Sequence, residues 1–223
     1  MIDTHTHILP GMDDGAVDLE ESLRMLRVSY AQGVRKVVLT PHFYPGRESV
    51  DAFLKRREQA FNALRDAWEP DMPQLILGAE VAWCAGIEHM DRIQELTVGQ
   101  SQWLLLEMPY KAWSDEQFDS LWNLIQRAGV TPILAHVERF LHLQQRGQYQ
   151  VVADMQIPMQ LSAGVFGKWL KRRKALALLQ QGQWMIGSDC HDLSQRPPCM
   201  ALAQQYLQRH APEKMAALSW NFE

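Results

Sequence analysis

Short apolar runs alternate with helical patterns along most of this chain, and each run ends at a polar residue that can carry chemistry. In chain order these terminal residues are His5, His42, Glu80, Glu107, His136, Ser162 and Asp189. Neighbouring members of the series are 26 to 38 residues apart, the length of one strand, one helix and their loops. Such alternation is typical of a parallel sheet with crossover helices, which constrains the fold more than any other feature.

Parallel strands present their carboxyl ends on one face of a sheet, so these side chains should converge. An open doubly wound sheet would spread them along an edge, whereas a barrel would gather them into a ring. We therefore predict an α/β fold, a distorted (β/α)7 relative of the TIM barrel. Because the 223-residue chain shows no linker and no fixed-period repeat, residues 1–223 are expected to form a single domain.

Helix boundaries are predicted from capping residues and from glycine. Asp18 and Ser114 are expected to begin helices, each with an acidic or amide residue three positions later. A short helix is predicted at about 87–96, and a helix at about 138–154 contains Gly147, which favours a break into two pieces. Glu80 is expected directly after an apolar strand at 75–79.

The first fifteen residues contain the strongest local signal. His5 and His7 are two apart, so in an extended strand both imidazoles project from the same face, close enough to share a metal ion. Asp13 and Asp14 follow in a turn closed by Gly15, where a carboxylate can fold back over the strand end. We expect Asp14 to be a ligand and Asp13 a turn residue. The alternative is an exposed turn after an edge strand.

Combined with the strand-end residues, this segment completes a ring of five histidines and four carboxylates: His5, His7, His42, His136, His191, Asp14, Glu80, Glu107 and Asp189. Groups of this kind pack together only with cations among them, since desolvation and repulsion are otherwise severe. The nitrogen and oxygen donors suit Mn, Fe or Zn, and no cysteine set points to a structural zinc site. Nine ligands exceed the need of one ion, so we expect two or three ions, with a carboxylate such as Glu80 bridging.

Composition argues against several classes of function. A net charge of −4 and a pI near 6.1 give no general attraction to nucleic acid or to an anionic membrane. No apolar run approaches the roughly 20 residues of a membrane helix, and no secretory signal precedes His5, so membrane insertion is not expected. Three cysteines are too few for a disulfide framework, which favours a reducing compartment and makes the cytoplasm the default expectation.

The charge of such a centre indicates the substrate. Three divalent ions among four carboxylates and one bridging hydroxide would carry roughly +1, which attracts a phosphate group although the chain is acidic. A bridging hydroxide is a potent nucleophile at neutral pH, and paired ions stabilise the attacking and leaving oxygens of an in-line displacement. Hydrolysis of a phosphoester is the reaction class that follows.

Five motifs, in this order, resemble those of the polymerase and histidinol phosphatase (PHP) superfamily. They are H-T-H at 5–7, D-D-G at 13–15, G-A-E at 78–80, A-H-V-E-R at 135–139, and S-D-C-H at 188–191 followed by R-P-P at 196–198. Within the superfamily the chain looks most like the bacterial manganese-dependent protein-tyrosine phosphatases of capsule and exopolysaccharide loci. The resemblance implies a PHP-type barrel, a trinuclear manganese centre, a cognate tyrosine autokinase as substrate and assembly into a homo-oligomer.

The resemblance also implies roles for individual residues. One ion is expected at His5, His7, Glu80 and Asp189, a second at Glu80, Glu107 and His136, and a third at Asp14, His42 and His191. Arg139 and Arg196 are expected to clamp the phosphate oxygens, and Asp14 and His42 join them in the catalytic group. The leaving phenolate, with a pKa of about 10, needs little protonation beyond metal stabilisation.

Other functions remain open from the sequence. A small-molecule phosphatase such as a histidinol-phosphatase would share the metal ligands, and so would a DNA exonuclease, although the acidic balance counts against the latter. Cys190 and Arg196 have the spacing of thiol-based tyrosine phosphatases, but the loop between them lacks glycine and two prolines follow. A non-catalytic descendant should have lost ligands, and none is missing.

Three groups outside the ring have structural alternatives. Trp83, Tyr110 and Trp113 could form an aromatic wall for a phosphotyrosine ring, with core or rim packing an equal alternative. The remaining histidines, at positions 89, 142 and 210, are expected on the surface. A basic cluster could hold an acidic tail or nucleic acid, but a solvated helix face is the better expectation for Lys168, Lys171, Arg172, Arg173 and Lys174.

Overall fold

Strands and helices alternate along the chain in the computed structural model, which describes residues 1–140, 142–144, 146–180, 182–220 and 222. The strands in these residues are β1 (Ile2–Thr6), β2 (Lys36–Leu39), β3 (His42–Phe43), β4 (Gln74–Leu77), β5 (Glu80–Ala82), β6 (Trp103–Glu107), β7 (Thr131–Leu134), β8 (Met159–Ser162) and β9 (Trp184–Gly187). The α-helices are α1 (Leu19–Ala31), α2 (Val50–Asp66), α3 (Asp115–Asn123), α4 (Arg146–Asp154), α5 (Trp169–Leu178) and α6 (Met200–His210). Short 3-10 segments lie at Ile87–His89, Ile93–Leu96, Val137–Arg139, Ala163–Gly167 and Pro212–Leu218.

Two helices begin at the polar residues that the sequence predicts. At α1 the Asp18 side chain accepts a hydrogen bond from the Glu21 backbone N–H at 2.9 Å. At α3 the Ser114 backbone N–H donates to Gln117 Oε1 at 2.8 Å. These contacts satisfy backbone donors that have no partner inside a helix, so each helix has a defined start.

Two helix predictions need correction. The helix expected at 87–96 is instead two separate 3-10 turns, because Arg92 between them has a φ of 61°, which no right-handed helix contains. The segment at 138–154 is indeed broken, into Val137–Arg139 and α4. The break comes before Gly147, however, and this glycine lies inside α4.

All the strand pairs described are parallel, in the orders β1-β2-β4 and β3-β5-β6-β7-β8-β9. The two sheets are continuous, because β3 and β5 follow β2 and β4 after two-residue breaks. Across these breaks Gly78 N donates to Leu39 O at 2.9 Å, and Glu80 N donates to Pro41 O at 3.0 Å. With β2 joined to β3 and β4 joined to β5, seven strand units alternate with helical segments, as predicted.

The break between β4 and β5 changes the expected setting of Glu80. Glu80 begins the short strand β5 and does not simply follow an unbroken strand at 75–79. On the neighbouring strand Pro41 has no N–H to donate. A Cβ at Gly78 would lie 3.3 Å from Val38 Cγ1, a tight contact that glycine avoids. Both features coincide with the break that sets Glu80 at the carboxyl end of the sheet.

The last strand returns beside the first. Thr6 and Cys190 form a parallel bridge, and Asp189 N donates to His5 O at 2.9 Å. One apolar cluster contains residues from β1, β2, β6, β7 and β9, so the sheet curves around it. These residues are Ile2, Val38, Leu105, Ile133 and Met185. The parallel α/β arrangement is compatible with the predicted distorted (β/α)7 barrel. None of the helices in the described ranges is both long and apolar enough to cross a membrane.

Candidate metal centre

The carboxyl ends of the strands bring together all nine residues of the predicted ring. His5 is in β1 and His7 lies just beyond it, His42 begins β3, Glu80 begins β5 and Glu107 ends β6. The others follow β1, β7 or β9 in loops: Asp14, His136, Asp189 and His191. Each side chain contacts at least one other member, as the distances below show. Parallel strand geometry is therefore sufficient to assemble the ring from positions almost 190 residues apart.

The buried carboxylate of Glu80 is the centre of the ring. Glu80 Oε2 lies 3.2 Å from His5 Nε2, 3.3 Å from His7 Nε2 and 3.0 Å from His42 Nδ1. Glu80 Oε1 lies 2.8 Å from His136 Nε2. One carboxylate thus contacts four imidazoles from three different strand units, which is the contact pattern expected of a bridging ligand.

His5 and His7 form the first group of candidate donors. Their Nε2 atoms are 3.0 Å apart, and each lies 3.6 Å from Asp189 Oδ1. Gln160 Oε1 already accepts a hydrogen bond from the His136 backbone N–H at 2.6 Å, so His5 Nδ1, 3.3 Å away, must be the donor to it. His7 Nδ1 likewise donates to Asp13 Oδ2 at 2.8 Å. Both Nε2 atoms therefore turn toward the same point, where only a proton or a metal ion relieves their repulsion.

Two further groups of donor atoms adjoin the first. His136 Nε2 lies 3.4 Å from Glu107 Oε1 and also contacts Glu80, as described above. Asp14 Oδ1 lies 3.5 Å from His42 Nε2 and 3.3 Å from His191 Nε2. Three sets have donor atoms within 4.8 Å of one another: His5, His7 and Glu80; His42, Glu80 and Glu107; and His7, Asp14, His42 and His191. The residues can hold a cluster of ions.

The electrostatics of the protein alone are those of a site that needs positive charge. Burial lowers the pKa of His7, but the Asp13 and Glu80 carboxylates outweigh it and raise this pKa to about 10. Burial likewise opposes protonation of His136, yet Glu107 and Glu80 raise its pKa to about 9. Burial alone would raise the pKa of Glu80, but the surrounding imidazoles hold it well below its usual range. Protons and metal ions therefore compete for these nitrogens.

Two donor atoms of the ring, His191 Nε2 and Glu80 Oε2, have lone pairs that no hydrogen bond uses and that a metal ion could accept. Burial, together with the positive charge of His7 and Arg196, lowers the pKa of His191 to about 4, so this imidazole is neutral at neutral pH. Its Nδ1 donates to the Asp189 backbone O at 3.1 Å, which leaves a lone pair on Nε2. His191 Nε2 and Glu80 Oε2 are buried and have no hydrogen bond of acceptable geometry. Unsatisfied buried acceptors are what cations would satisfy.

Two residues that orient the ring were missed or underrated from the sequence. Gln160 in β8 is fully buried and fixes both His5 and the His136 backbone. Asp13, predicted only as a turn residue, accepts hydrogen bonds from His7 Nδ1 and from the His42 backbone N–H, each at 2.8 Å. The signal for Gln160 in the sequence was weak, a polar residue within a short strand. Such partners fix imidazole orientation and raise basicity.

Two glycines allow the backbone to approach the ring closely. A Cβ at Gly15 would lie 2.1 Å from His7 O, so the D-D-G turn can pack against His7 only with glycine. A Cβ at Gly187 would lie 2.6 Å from His5 Cβ and 2.8 Å from His5 N. Both distances are far below van der Waals contact, so these positions exclude any side chain.

Substitution of Gly187 should therefore damage the centre directly. We expect Gly187→Ala to lower the free energy of unfolding by about 1–3 kcal/mol, as overpacking does, and to reduce bound metal by displacing His5. Gly147→Ala is the matched control, since a Cβ there meets no atom from outside its own helix within 4 Å and alanine favours the helix. Thermal unfolding and elemental analysis provide the measurement. Unchanged stability and metal content in Gly187→Ala would contradict the packing argument.

Two guanidinium groups border the ring on the side of Asp189. Arg139 donates to Asp189 Oδ2, and Arg196 Nη2 donates to Asp189 Oδ1 at 2.8 Å. Arg196 Nη1 also lies 3.9 Å from Asp14 Oδ2. Their side chains are 40% and 37% exposed, so both can reach a ligand from solvent. The arrangement can hold an anion against the centre, because arginine forks match phosphate oxygens.

The structure argues against Cys190 as a nucleophile. Its side chain is fully buried, and burial raises the pKa of the thiol well above its usual range. Thiol-based catalysis needs an accessible thiolate, usually with a depressed pKa. Cys190 therefore has the properties of a packed core residue, and its spacing from Arg196 is coincidental.

The aromatic residues near the ring have different surroundings. Trp113 is 3% exposed and packs on Phe140, so it belongs to the core and forms no substrate wall. Tyr110 is 69% exposed, and its hydroxyl lies 3.1 Å from His142 Nε2. Together with Glu107, Trp83 and Tyr110 line a cleft of about 230 Å³. An aromatic wall is therefore available from these two residues.

The three histidines outside the ring lie on the surface. As predicted, His89, His142 and His210 are exposed.

The chain is similar in sequence and in fold to known phosphatases. A model of the capsular polysaccharide synthesis family CpsB/CapC matches residues 1–220. Tyrosine-protein phosphatase YwqE of Bacillus subtilis is 30% identical over 212 residues, 88% of this chain and 79% of the relative. A solved structure of the metal-dependent tyrosine phosphatases YwqE of Bacillus subtilis and CpsB of Streptococcus pneumoniae has a TM-score of 0.75 at 26% identity, covering 95% of this chain and 87% of that one. Histidinol phosphate phosphatase of Lactococcus lactis, in complex with zinc, L-histidinol and phosphate, is similar in fold alone, with a TM-score of 0.56 at 10% identity over 95% of each chain.

Proposed function

Because the chain belongs to the CpsB/CapC family of capsular polysaccharide synthesis, we propose that it is a metal-dependent protein-tyrosine phosphatase. Its substrate is phosphotyrosine in a protein, foremost the tyrosine autokinase of a capsule or exopolysaccharide system, and it acts in the cytoplasm. A cluster of three Mn²⁺ ions is the proposed cofactor, with Fe and Zn as alternatives. The proposal depends above all on the buried Glu80 carboxylate, which has four imidazole nitrogens within 3.3 Å.

We assign the ring residues to three ions, the first two of which would share Glu80 as a ligand. The proposed ligand sets are His5, His7, Glu80 and Asp189; Glu80, Glu107 and His136; and Asp14, His42 and His191. When bound, divalent ions of this kind lower the pKa of water and offset the charge of phosphate oxygens. The mixture of imidazole and carboxylate donors suits Mn, Fe and Zn better than it suits Ca or Mg.

The protein's own residues bind and orient the phosphate group. Asp189 holds Arg139 and Arg196 in place before substrate arrives, since each guanidinium donates to one of its two oxygens. Preorganised donors of this kind stabilise the negative charge of the transition state without further rearrangement. Phenolate, with a pKa of about 10, leaves readily, so the reaction requires no protein residue as a strong general acid.

Replacement of Arg196 tests the phosphate clamp. Arg196→Lys keeps the positive charge but removes the planar fork, and we expect kcat/KM to fall by about 100-fold. Metal content should be unchanged, because the assigned ligands remain. Steady-state kinetics with elemental analysis provide the measurement. Arg35→Lys is the matched control, because Arg35 lies over the ring of Tyr30 and contacts no residue of the metal centre among those described. A loss of metal equal to the loss of activity would mean that Arg196 acts through the centre and is not a clamp.

Substrate preference tests the proposed function as a whole. The metal-loaded protein should hydrolyse a phosphotyrosine peptide with a kcat/KM at least about 100-fold above that for histidinol phosphate, a difference of about 3 kcal/mol. The comparison separates protein-tyrosine phosphatase activity from a small-molecule phosphatase with the same metal ligands. Equal or reversed preference would favour histidinol-phosphatase activity.

A further inference from the structure

Two cavities of about 370 Å³ each lie on either side of Arg139, next to the candidate metal centre. The first is lined by both clamp arginines, Arg139 and Arg196, and by Lys168 and Lys171. The second is lined by Arg139, Lys171 and Lys174. Arg139 and Lys171 line both cavities, so the two share a wall. We call Lys168, Lys171 and Lys174 the cationic shelf.

The cationic shelf carries charge that the protein itself does not neutralise. The carboxylates lining the two cavities are Glu138 and Asp189. Asp189 accepts hydrogen bonds from both clamp arginines, and Glu138 Oε2 accepts one from the Ser162 backbone N–H, a neutral donor, at 3.3 Å. Five cationic side chains line the two cavities against these two carboxylates, so an excess of positive charge remains. Across the described part of the chain, no lysine of the shelf forms an ion pair or a side-chain hydrogen bond. A locally positive surface therefore lies beside the two clamp arginines in a chain of net charge −4.

The position of the lysines on α5 is unfavourable for the helix itself. Lys168 immediately precedes α5, Lys171 lies in its first turn, and that turn contains no acidic residue. Positive side chains at this end repel the partial positive charge of the helix N-terminus. Their own helix gains nothing from them, whereas an anion seated between α5 and Arg139 would interact favourably with both.

We propose that the cationic shelf selects phosphotyrosine sites that have aspartate or glutamate within about three residues of the phosphotyrosine. The inference rests on the proposed function, because Arg139 and Arg196 must hold the phosphate for the flanking residues to reach the shelf. Three residues of an extended peptide span about 10 Å, which carries neighbouring side chains across the shared wall into both cavities. The shelf thus determines specificity and takes no part in the chemical step.

Charge reversal on the shelf provides the test. Two phosphotyrosine peptides of equal length, one with glutamate and one with alanine at the flanking positions, are compared with p-nitrophenyl phosphate, which has no flanking residues. We expect the metal-loaded protein to favour the acidic peptide by about 3- to 10-fold in kcat/KM, the size of effect that a few exposed ion pairs produce. Salt of about 0.5 M should reduce this preference, since it screens exposed charges.

The double variant Lys168→Glu/Lys171→Glu should bring the preference to about 1 or reverse it, with the rate on p-nitrophenyl phosphate within about twofold of the unmodified protein. Arg173→Glu is the matched control, as an exposed residue of α5 that does not line either cavity. Three results would overturn the inference and leave the proposed function intact. They are equal rates on the two peptides, an unaltered preference in the double variant, and the same loss of preference in Arg173→Glu. Failure of the metal-loaded protein to hydrolyse either peptide would overturn the proposed function and the inference with it.

Discussion

Removal of metal with a chelator should reduce hydrolysis of a phosphotyrosine peptide to below about 0.1% of the starting rate, a loss of more than about 4 kcal/mol of transition-state stabilisation. The physical reason is that the ring supplies ligands but no residue placed to act as the nucleophile. Addition of Mn²⁺ after removal of the chelator should restore the rate. The measurement is the initial rate before chelation, after it and after metal is returned.

Cys190→Ser is the paired experiment, because it tests the mechanism that Cys190 and Arg196 suggest from the sequence. The thiol is fully buried and its pKa is raised, so the serine variant should keep most of the activity of the folded protein. Cys190→Ala, which buries no new hydroxyl, controls for the stability cost of serine, and thermal unfolding reports that cost. Full activity after metal removal, together with an inactive but folded Cys190→Ala, would support thiol catalysis instead.

Glu80→Gln should cause the largest loss among single substitutions, at least about 1,000-fold in kcat, with a marked fall in bound metal. The amide has nearly the same shape but removes the negative charge that four imidazoles surround. It also brings an N–H₂ group toward nitrogens that should face cations. Kinetics and elemental analysis of the purified variant provide the measurement.

Two further variants calibrate this result. Glu107→Gln should cost less than Glu80→Gln, because Glu107 is 26% exposed and contacts one imidazole at 3.4 Å. Glu58→Gln, on the exposed side of α2, should change neither the rate nor the metal content. An active, metal-loaded Glu80→Gln protein would show that Glu80 does not bridge the centre.

The ring could be predicted from the sequence because it depends on a simple rule of topology. Parallel strands end on one face, so apolar runs that end in His, Glu or Asp identify side chains that meet there. Glu107 and His136 follow the rule directly. His42 and Glu80 follow it as well, although two-residue breaks place each of them at the start of a short strand, which the apolar pattern did not reveal.

The supporting contacts could not be predicted, because they depend on pairs that only the folded chain brings together. Gln160 is 155 positions from His5, and nothing in its neighbourhood marks it as more than a polar residue within a strand. Asp13 and Asp14 are adjacent in sequence and chemically identical. Only the folded turn, with Gly15 packed on His7, shows that Asp13 faces His7 Nδ1 and that Asp14 faces His191.

The basic cluster shows a different limit of sequence analysis. A run of lysines and arginines in a helix is most often a solvated face, and all five residues do lie on α5 or directly before it. Arg172, which lies over the ring of Tyr206 with its Cζ 5.1 Å from the ring centroid, fits that expectation of surface packing. Lys168, Lys171 and Lys174 instead line cavities beside Arg139, which depends on the packing of elements far from α5 in sequence.

Anomalous diffraction from crystals grown with Mn²⁺ tests the central claim most directly, because it locates the ions among the side chains. We expect manganese peaks within about 2.2 Å of the donor atoms of the ring, with Glu80 contacting more than one ion. Peaks confined to surface carboxylates, or a ring without manganese in crystals saturated with Mn²⁺, would contradict the account.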